Sequence, residues 1–200
     1  MKRTEEQLAE LLDEQIVAVV GNATSLLDHR YGSAIDKEHH HVIRINEGIP
    51  GDRRDATGGR MTIWAGRQPP GGIMGTRPNG AIGPVLSLSP GYWEGLEQVW
   101  VWDKVIIVPK PYIDRIVRFK PDSREDPTTG FLVLTALLSC KPKLIRIFGF
   151  DWFSTVSYTS GLKHPCIETG EEHGQQEFRA LAEKGLSAHP TMEGVYEIVP

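Results

Sequence analysis

The segment Ile16–Val20 is five consecutive apolar residues, three of them Val, and it runs straight into Gly21-Asn22. A run this short and this β-branched reads as a strand buried on both faces, the kind a parallel sheet supplies. Gly21 permits a turn or a close backbone approach, Asn22 tolerates unusual dihedrals, and Thr24 or Ser25 can cap the short helical turn that Leu26 and Leu27 would anchor. A strand ending in a small polar loop at a helix start is where α/β proteins hold phosphate-bearing ligands, because backbone N–H groups and the helix dipole converge there. The loop contains neither G-x-G-x-x-G nor G-x-x-x-x-G-K-[ST], so dinucleotide and P-loop chemistry lose their main support. An ordinary strand-to-helix turn accounts for the same residues.

The 200 residues are enough to bury a real core, and we read 1–200 as one domain in which 48–91 is a Gly/Pro-rich insertion or lid. That segment holds 11 of the 21 Gly and 6 of the 14 Pro, which disfavours long helices and strands. Short strands are expected within it at Met61–Trp64 and Val85–Leu88. The net charge of -4 argues against a polyanion-binding surface, so any phosphate site must be local and nucleic acid is not an expected partner. The first residues lead into an acidic amphipathic segment rather than a signal peptide, and no apolar run approaches the roughly 20 residues that span a bilayer. Only Cys140 and Cys166 are present, which reads as two reduced thiols in a cytosol. A cytoplasmic protein is the expectation.

Along the chain, capping-box spacing at Thr4–Gln7 and a Leu8, Leu11, Leu12 stripe predict a helix over about 4–14. A second short helix or turn follows over Tyr31–Asp36, and His41–Ile45 has the composition of a strand, completing a βαβ unit. Helices are expected near 92–99 and 111–118, with a buried strand at Val105–Val108. Pro127-Thr128-Thr129-Gly130 precedes an apolar helix, Phe131–Leu138, and then a strand that starts at Leu144 and leads through Gly149-Phe150 to Asp151. Thr-Thr-Gly at a helix start offers hydroxyls and bare N–H groups facing one way, although simple capping is a sufficient local reason. A last helix opens at Glu171, with Phe178, Leu181 and Ala182 as its expected inner face. His173 and Glu177, four apart, share one side of it. The His39-His40-His41 run invites a metal reading, but neighbouring strand residues point to opposite faces and no ligand spacing supports it.

Taken together, these regions resemble the sialyltransferases of glycosyltransferase family 29. The large sialylmotif of that family corresponds to Val19-Val20-Gly21-Asn22 through Arg44-Ile45-Asn46-Glu47. The small motif corresponds to Pro127-Thr128-Thr129-Gly130 through Ile147-Phe148-Gly149-Phe150, and the very small motif to His173 and Glu177. Together the three cover about a third of the chain in the family's order. Three residues separate His173 from Glu177 where the animal enzymes have four, and the large motif has no cysteine for the disulfide of the secretory-pathway enzymes. That pattern fits a bacterial or viral member.

The resemblance implies a Rossmann-like, mostly parallel sheet flanked by helices, a variant GT-A-like arrangement of the sialyltransferase type. It implies a CMP-activated acidic sugar as donor, a glycan hydroxyl as acceptor, and displacement with inversion at the anomeric carbon. His173 would be the base and Glu177 would orient it. Gly21, Asn22 and Asn46 would bind the nucleotide's phosphate and ribose, and Thr128, Thr129 and Gly130 would cradle cytidine and phosphate. Tyr158 or His164 would assist the leaving phosphate. No D-x-D motif stands where a metal-using transferase would carry one, so neither metal nor other cofactor is expected. Strand ends carrying Gly21-Asn22, Asn46 and Asp151 should face one cleft with Thr129 and His173. The main rival is a non-catalytic nucleotide or nucleotide-sugar binding protein of the same fold. A hydrolase would need a nucleophile signature such as G-x-S-x-G, and none is present.

Overall fold

The valine-rich run Ile16–Val20 forms β1, and the sheet grows from it in both directions. The structure, a computed structural model, describes residues 4–46, 52–66, 85–87, 105–107, 127–158 and 170–200. Among these, the elements in chain order are α1 (Thr4–Leu12), β1, a 3-10 turn (Thr24–Asp28), α2 (Gly32–Lys37), β2 (His41–Ile45), α3 (Arg54–Thr57), β3 (Ile63–Gly66), β4 (Val85–Ser87) and β5 (Val105–Ile107). They continue with α4 (Thr129–Leu138), β6 (Leu144–Phe148), α5 (Gly170–Ala182), β7 (Ser187–Ala188) and β8 (Tyr196–Ile198).

Strand order is β5-β4-β3-β2-β1-β6-β8-β7. The six strands from β5 to β6 run parallel, and β8 and β7 close the β6 side antiparallel. The expected class, a mostly parallel Rossmann-like sheet flanked by helices, is the one adopted. From β1 the chain builds outward through β2, and later returns to place β6 on the other side of β1. The direction of sheet growth therefore reverses between β1 and β6, and the ends of those two strands are the switch point at which open α/β sheets take ligands.

Alternation along the strands gives each face of the sheet its own core. Val17, Val19, Ile43, Ile45, Ile145 and Ile147 pack with Leu8 and Leu12 of α1, with Phe131, Val133, Leu134 and Leu137 of α4, and with Leu181 of α5. Ala18, Val20, Val42 and Phe148 face the other way, onto Leu26 and Ile35. Helix α4 is buried without interruption from Gly130 to Leu137, so it carries no amphipathic stripe and behaves as an interior element.

Several expectations shift on contact with the tertiary structure. Neither Thr24 nor Ser25 caps the 3-10 turn: Ala23 holds the cap position without a side-chain bond, and the Thr24 N–H donates to Val156 O (3.0 Å) and Thr155 Oγ1 (3.1 Å). The capping role is thus filled by a distant segment. The strand expected from Met61 begins instead at Ile63, because the Thr62 hydroxyl accepts the Val42 N–H (2.8 Å) in place of a regular ladder carbonyl. Ala182 is exposed rather than inward, and the buried row of α5 is His173, Glu177 and Leu181. β6 stops at Phe148, where Gly149 turns the chain with φ +67°. The helices expected at 92–99 and 111–118 lie outside the described residues, as does most of the 48–91 segment. The described parts of that segment are short elements, α3, β3 and β4.

Candidate functional site

The loops after β1 and β6 are bonded into one unit. Gly21 N–H donates to Phe148 O (2.8 Å), Ala23 N–H to Gly149 O (3.1 Å), and Tyr158 N–H to Asn22 O (2.8 Å). An isolated antiparallel bridge joins Ala23 to Ser157. The intervening turn is held by Asp151, whose Oδ2 accepts the Thr155 N–H at 2.8 Å. Trp152 and Phe153 take φ values of +56° and +70° there. Left-handed backbone at two non-glycine residues costs about 1–3 kcal/mol each, so the packing of Trp152 against Phe150, Phe178 and Tyr196 must over-determine the turn.

Asn22 reaches across to β2, its Nδ2 donating to Ile45 O at 3.3 Å. Its Oδ1 is buried and has no hydrogen bond among the described residues. Asn46 follows Ile45 directly, in left-handed backbone with φ +49°. Its main chain is clamped by Ala65 O (2.9 Å) and by the Trp64 indole N–H (2.6 Å), and the residue is exposed at the strand end. The two asparagines therefore lie at the same end of the sheet, just past β1 and β2.

Phe150 joins this end to α4. A Cβ on Gly21 would meet the Phe150 ring at 2.8 Å as well as the Gly149 carbonyl, and a Cβ on Gly130 would meet the same ring at 2.5 Å. Both glycines thus have a packing reason to lack a side chain, because one aromatic ring lies between the two motifs that contain them.

The second cluster joins α4 to α5. Thr128 caps α4, its Oγ1 accepting the Phe131 N–H at 3.2 Å. The same hydroxyl donates to Glu177 Oε2 (2.8 Å), and the Thr128 N–H donates to Glu177 Oε1 (2.7 Å). His173 Nε2 lies 3.2 Å from Glu177 Oε1, one helical turn away. His173 and Glu177 are each 2% exposed, so this is an interior polar network. Gly174, beside His173, packs against the Trp152 carbonyl with no room for a Cβ. Thr129, half-buried, opens α4.

A third group was missed by sequence reasoning, which noted Arg44 only as part of Arg-Ile-Asn. Arg44 lies on the sheet between Val20 and Trp64 and is 0% exposed. Its Nη2 donates to Thr57 O (2.6 Å) and its Nε to Arg60 O (3.0 Å). The Tyr158 phenol sits beside the guanidinium; burial pushes the phenol's pKa up against the guanidinium's opposing pull. A charged residue at an inward register position of a β-branched strand was the signal available.

The structure thus brings His173, Glu177 and Thr128 into one network. It brings Gly21, Asn22, Asn46 and Tyr158 to the ends of β1 and β2, and sets Phe150 between the two. Asp151 serves its own turn, and His164 lies outside the described residues.

No protein-family model matches the sequence, and no curated protein matches it. Solved structures do match. A mammalian sialyltransferase in complex with Gal-beta-1-3GalNAc-ortho-nitrophenol superposes with a TM-score of 0.57 at 19% identity, covering 88% of this chain and 68% of that one. A second mammalian sialyltransferase structure gives 0.57 at 17% identity, covering 90% and 75%. The chain therefore has a sialyltransferase-like fold.

Proposed function

We propose that the protein is a glycosyltransferase that moves sialic acid or a related acidic sugar from a CMP-activated donor to a glycan hydroxyl, with inversion and without a metal. The observation that carries this reading is the network of His173, Glu177 and Thr128, which ties the C-terminal His-Glu pair to the Pro-Thr-Thr-Gly helix start in a chain of sialyltransferase-like fold. In the proposed step the acceptor oxygen bonds to the anomeric carbon as the bond from that carbon to the CMP phosphate oxygen breaks. His173 takes the acceptor proton, and the electron pair leaves with the phosphate. Glu177 faces Nε2 and sets the ring's orientation. Asn22 and Asn46 are assigned to the nucleotide, with Thr128, Thr129 and Gly130 beside it. Protein donors, Tyr158 or His164 among them, would meet the departing phosphate's charge.

A cytoplasmic member from a bacterium or virus is the corresponding proposal for origin, supported by a large motif that contains no cysteine. The second reading, a nucleotide-sugar binding protein that has lost transfer, is favoured by one observation. His173 is 2% exposed, which restricts an acceptor's access to it.

Calorimetric titration with CMP, with UMP as control, tests the donor site in wild type and Asn22→Ala. CMP-selective binding weakened by the substitution supports it, and no binding near millimolar CMP removes it. Transfer assays with His173→Ala then separate the readings: the enzyme loses turnover while still binding CMP, whereas the binding protein shows no transfer from either form.

A further inference from the structure

The residue just past β2 is held from both sides in a conformation that few side chains adopt. Asn46 has φ +49°, in the left-handed region that asparagine tolerates better than most residues. That backbone turns the chain out of the sheet directly after Ile45, where β2 ends. The Asn46 N–H still joins the ladder, donating to Ala65 O at 2.9 Å. The Asn46 carbonyl instead accepts the Trp64 indole N–H, at 2.6 Å. Both main-chain groups of Asn46 are therefore committed to β3, while the residue itself stays exposed.

Trp64 is an interior residue, 0% exposed, and its register partner on β2 is Arg44 rather than Asn46. The indole thus reaches two residues further along the strand to find this carbonyl. A buried indole N–H needs an acceptor, and satisfying the ring is reason enough for some bond. This bond does more, because of where it falls. Peptide units are planar, so a residue moves only through its φ and ψ. With the plane before the Asn46 Cα tied to Ala65 O and the plane after it tied to the indole, both angles are fixed, and so is the direction in which the side chain leaves the strand. The same strand end is also tied from the β1 side, since Asn22 Nδ2 donates to Ile45 O at 3.3 Å.

We propose that Trp64 is a positioning residue for the nucleotide: its indole N–H locks Asn46 in the left-handed conformation that presents the exposed amide to the bound donor. This rests on the donor reading above, in which Asn46 contacts the nucleotide. An amide already ordered loses less freedom when a ligand binds it, so the bond acts on affinity. Trp64, fully buried, exerts that effect through Asn46 alone.

The test is a double-variant cycle on CMP affinity, measured by calorimetry on the full chain, with melting temperatures alongside. Trp64→Phe keeps an aromatic ring in the interior and removes the N–H. Asn46→Gly keeps the left-handed backbone without strain and removes the amide. Loss of a ligand hydrogen bond predicts CMP binding weakened about fivefold or more in Asn46→Gly, with a measurable part of that loss in Trp64→Phe. The double variant should bind CMP as Asn46→Gly does, because glycine lacks the side chain through which Trp64 acts. A merely structural Trp64 lowers the melting temperature and leaves CMP affinity unchanged, or weakens it by the same factor in the wild-type and Asn46→Gly backgrounds; either result overturns the proposal. Should Trp64→Phe fail to fold, 3-benzothienylalanine at position 64 takes its place in the cycle, since it keeps the bicyclic shape and replaces the N–H by sulfur. CMP affinity unchanged by Asn46→Gly also overturns the inference, while wild-type binding keeps the donor reading intact. A wild type that does not bind CMP overturns both.

Discussion

Glu177 grips Thr128 by two groups at once, Oε1 on its N–H at 2.7 Å and Oε2 on its hydroxyl at 2.8 Å, across 49 residues of sequence. One residue therefore both caps α4 and, beside His173, satisfies a buried carboxylate. Thr128→Val removes the cap, worth about 1 kcal/mol, and also orphans one carboxylate oxygen, adding about 1–3 kcal/mol. Glu177→Gln keeps the shape but turns an amide donor toward Thr128 or His173. Urea unfolding of both variants and their combination should reveal a coupling of about 1–3 kcal/mol. Additive losses would mean that the two groups do not stabilise each other.

The ring of Phe150 makes Gly130 and Gly21 fail differently when enlarged. Gly130→Ala collides mainly with that ring, at 2.5 Å, whereas Gly21→Ala also meets the Gly149 carbonyl. Overpacking of this kind costs about 1–3 kcal/mol. Phe150→Leu should recover part of the Gly130→Ala loss, because the leucine leaves the space where the ring edge lay. It should recover little of the Gly21→Ala loss, since a backbone carbonyl cannot be trimmed. Equal rescue at both sites in thermal melts would contradict the packing described.

What was legible in the chain was whatever short-range chemistry decides. β1 and β2 followed from runs of β-branched residues, and α4 from an apolar stretch behind a Thr cap, because burial on both faces leaves a local signature. β7 and β8, two and three residues long, are too short to show any periodicity, and they exist because β6 offers an open edge. At the candidate site, the His173–Glu177 pair was visible as an i, i+4 spacing. The partner that completes it, Thr128, is a long-range contact that no local pattern reports. The same holds for Phe150 between two glycines: each glycine reads as a ligand approach in isolation, and only the fold shows the ring that both accommodate.

Cys140 should behave as an inert thiol. It is 3% exposed, and burial pushes its pKa up to about 11 against the lowering effect of the Ser139 hydroxyl. In a Cys166→Ser background, leaving one cysteine, reaction with a disulfide reagent at pH 8 should be slow in native buffer. Above the urea midpoint it should accelerate by about a hundredfold or more, since the exposed thiol regains ordinary acidity. Rapid native labelling would place the thiol at the surface.

The acid limb of stability should trace in part to His39, which is buried, and His41, which is half-buried. His39 is 3% exposed, packs edge-on against the Phe148 ring with centroids 5.6 Å apart, and turns Nδ1 to Ile35 O at 3.1 Å. Burial lowers its pKa below the ordinary 6.5; Arg146 acts in the same direction, while Glu38 and the Ile35 carbonyl act against it. The His41 pKa is lowered as well, by burial first and then by Arg60 and His40. Since the folded pKa lies below the unfolded one, the unfolded chain binds more protons as the pH falls. The stability these groups contribute is therefore fully present above about pH 6.5, the unfolded value, and drains away as the pH drops through the depressed folded values. Each group can impose a slope of up to about 1.4 kcal/mol per pH unit in that window. Urea midpoints measured from pH 8 to 5 should stay flat at first and then decline. The decline should shrink in His39→Gln, whose amide can still donate to the Ile35 carbonyl but does not titrate. It should shrink further when His41→Gln is added. If the double variant keeps the wild-type slope, the acid sensitivity arises from other groups, and the lowered pKa values of these two imidazoles do not set it.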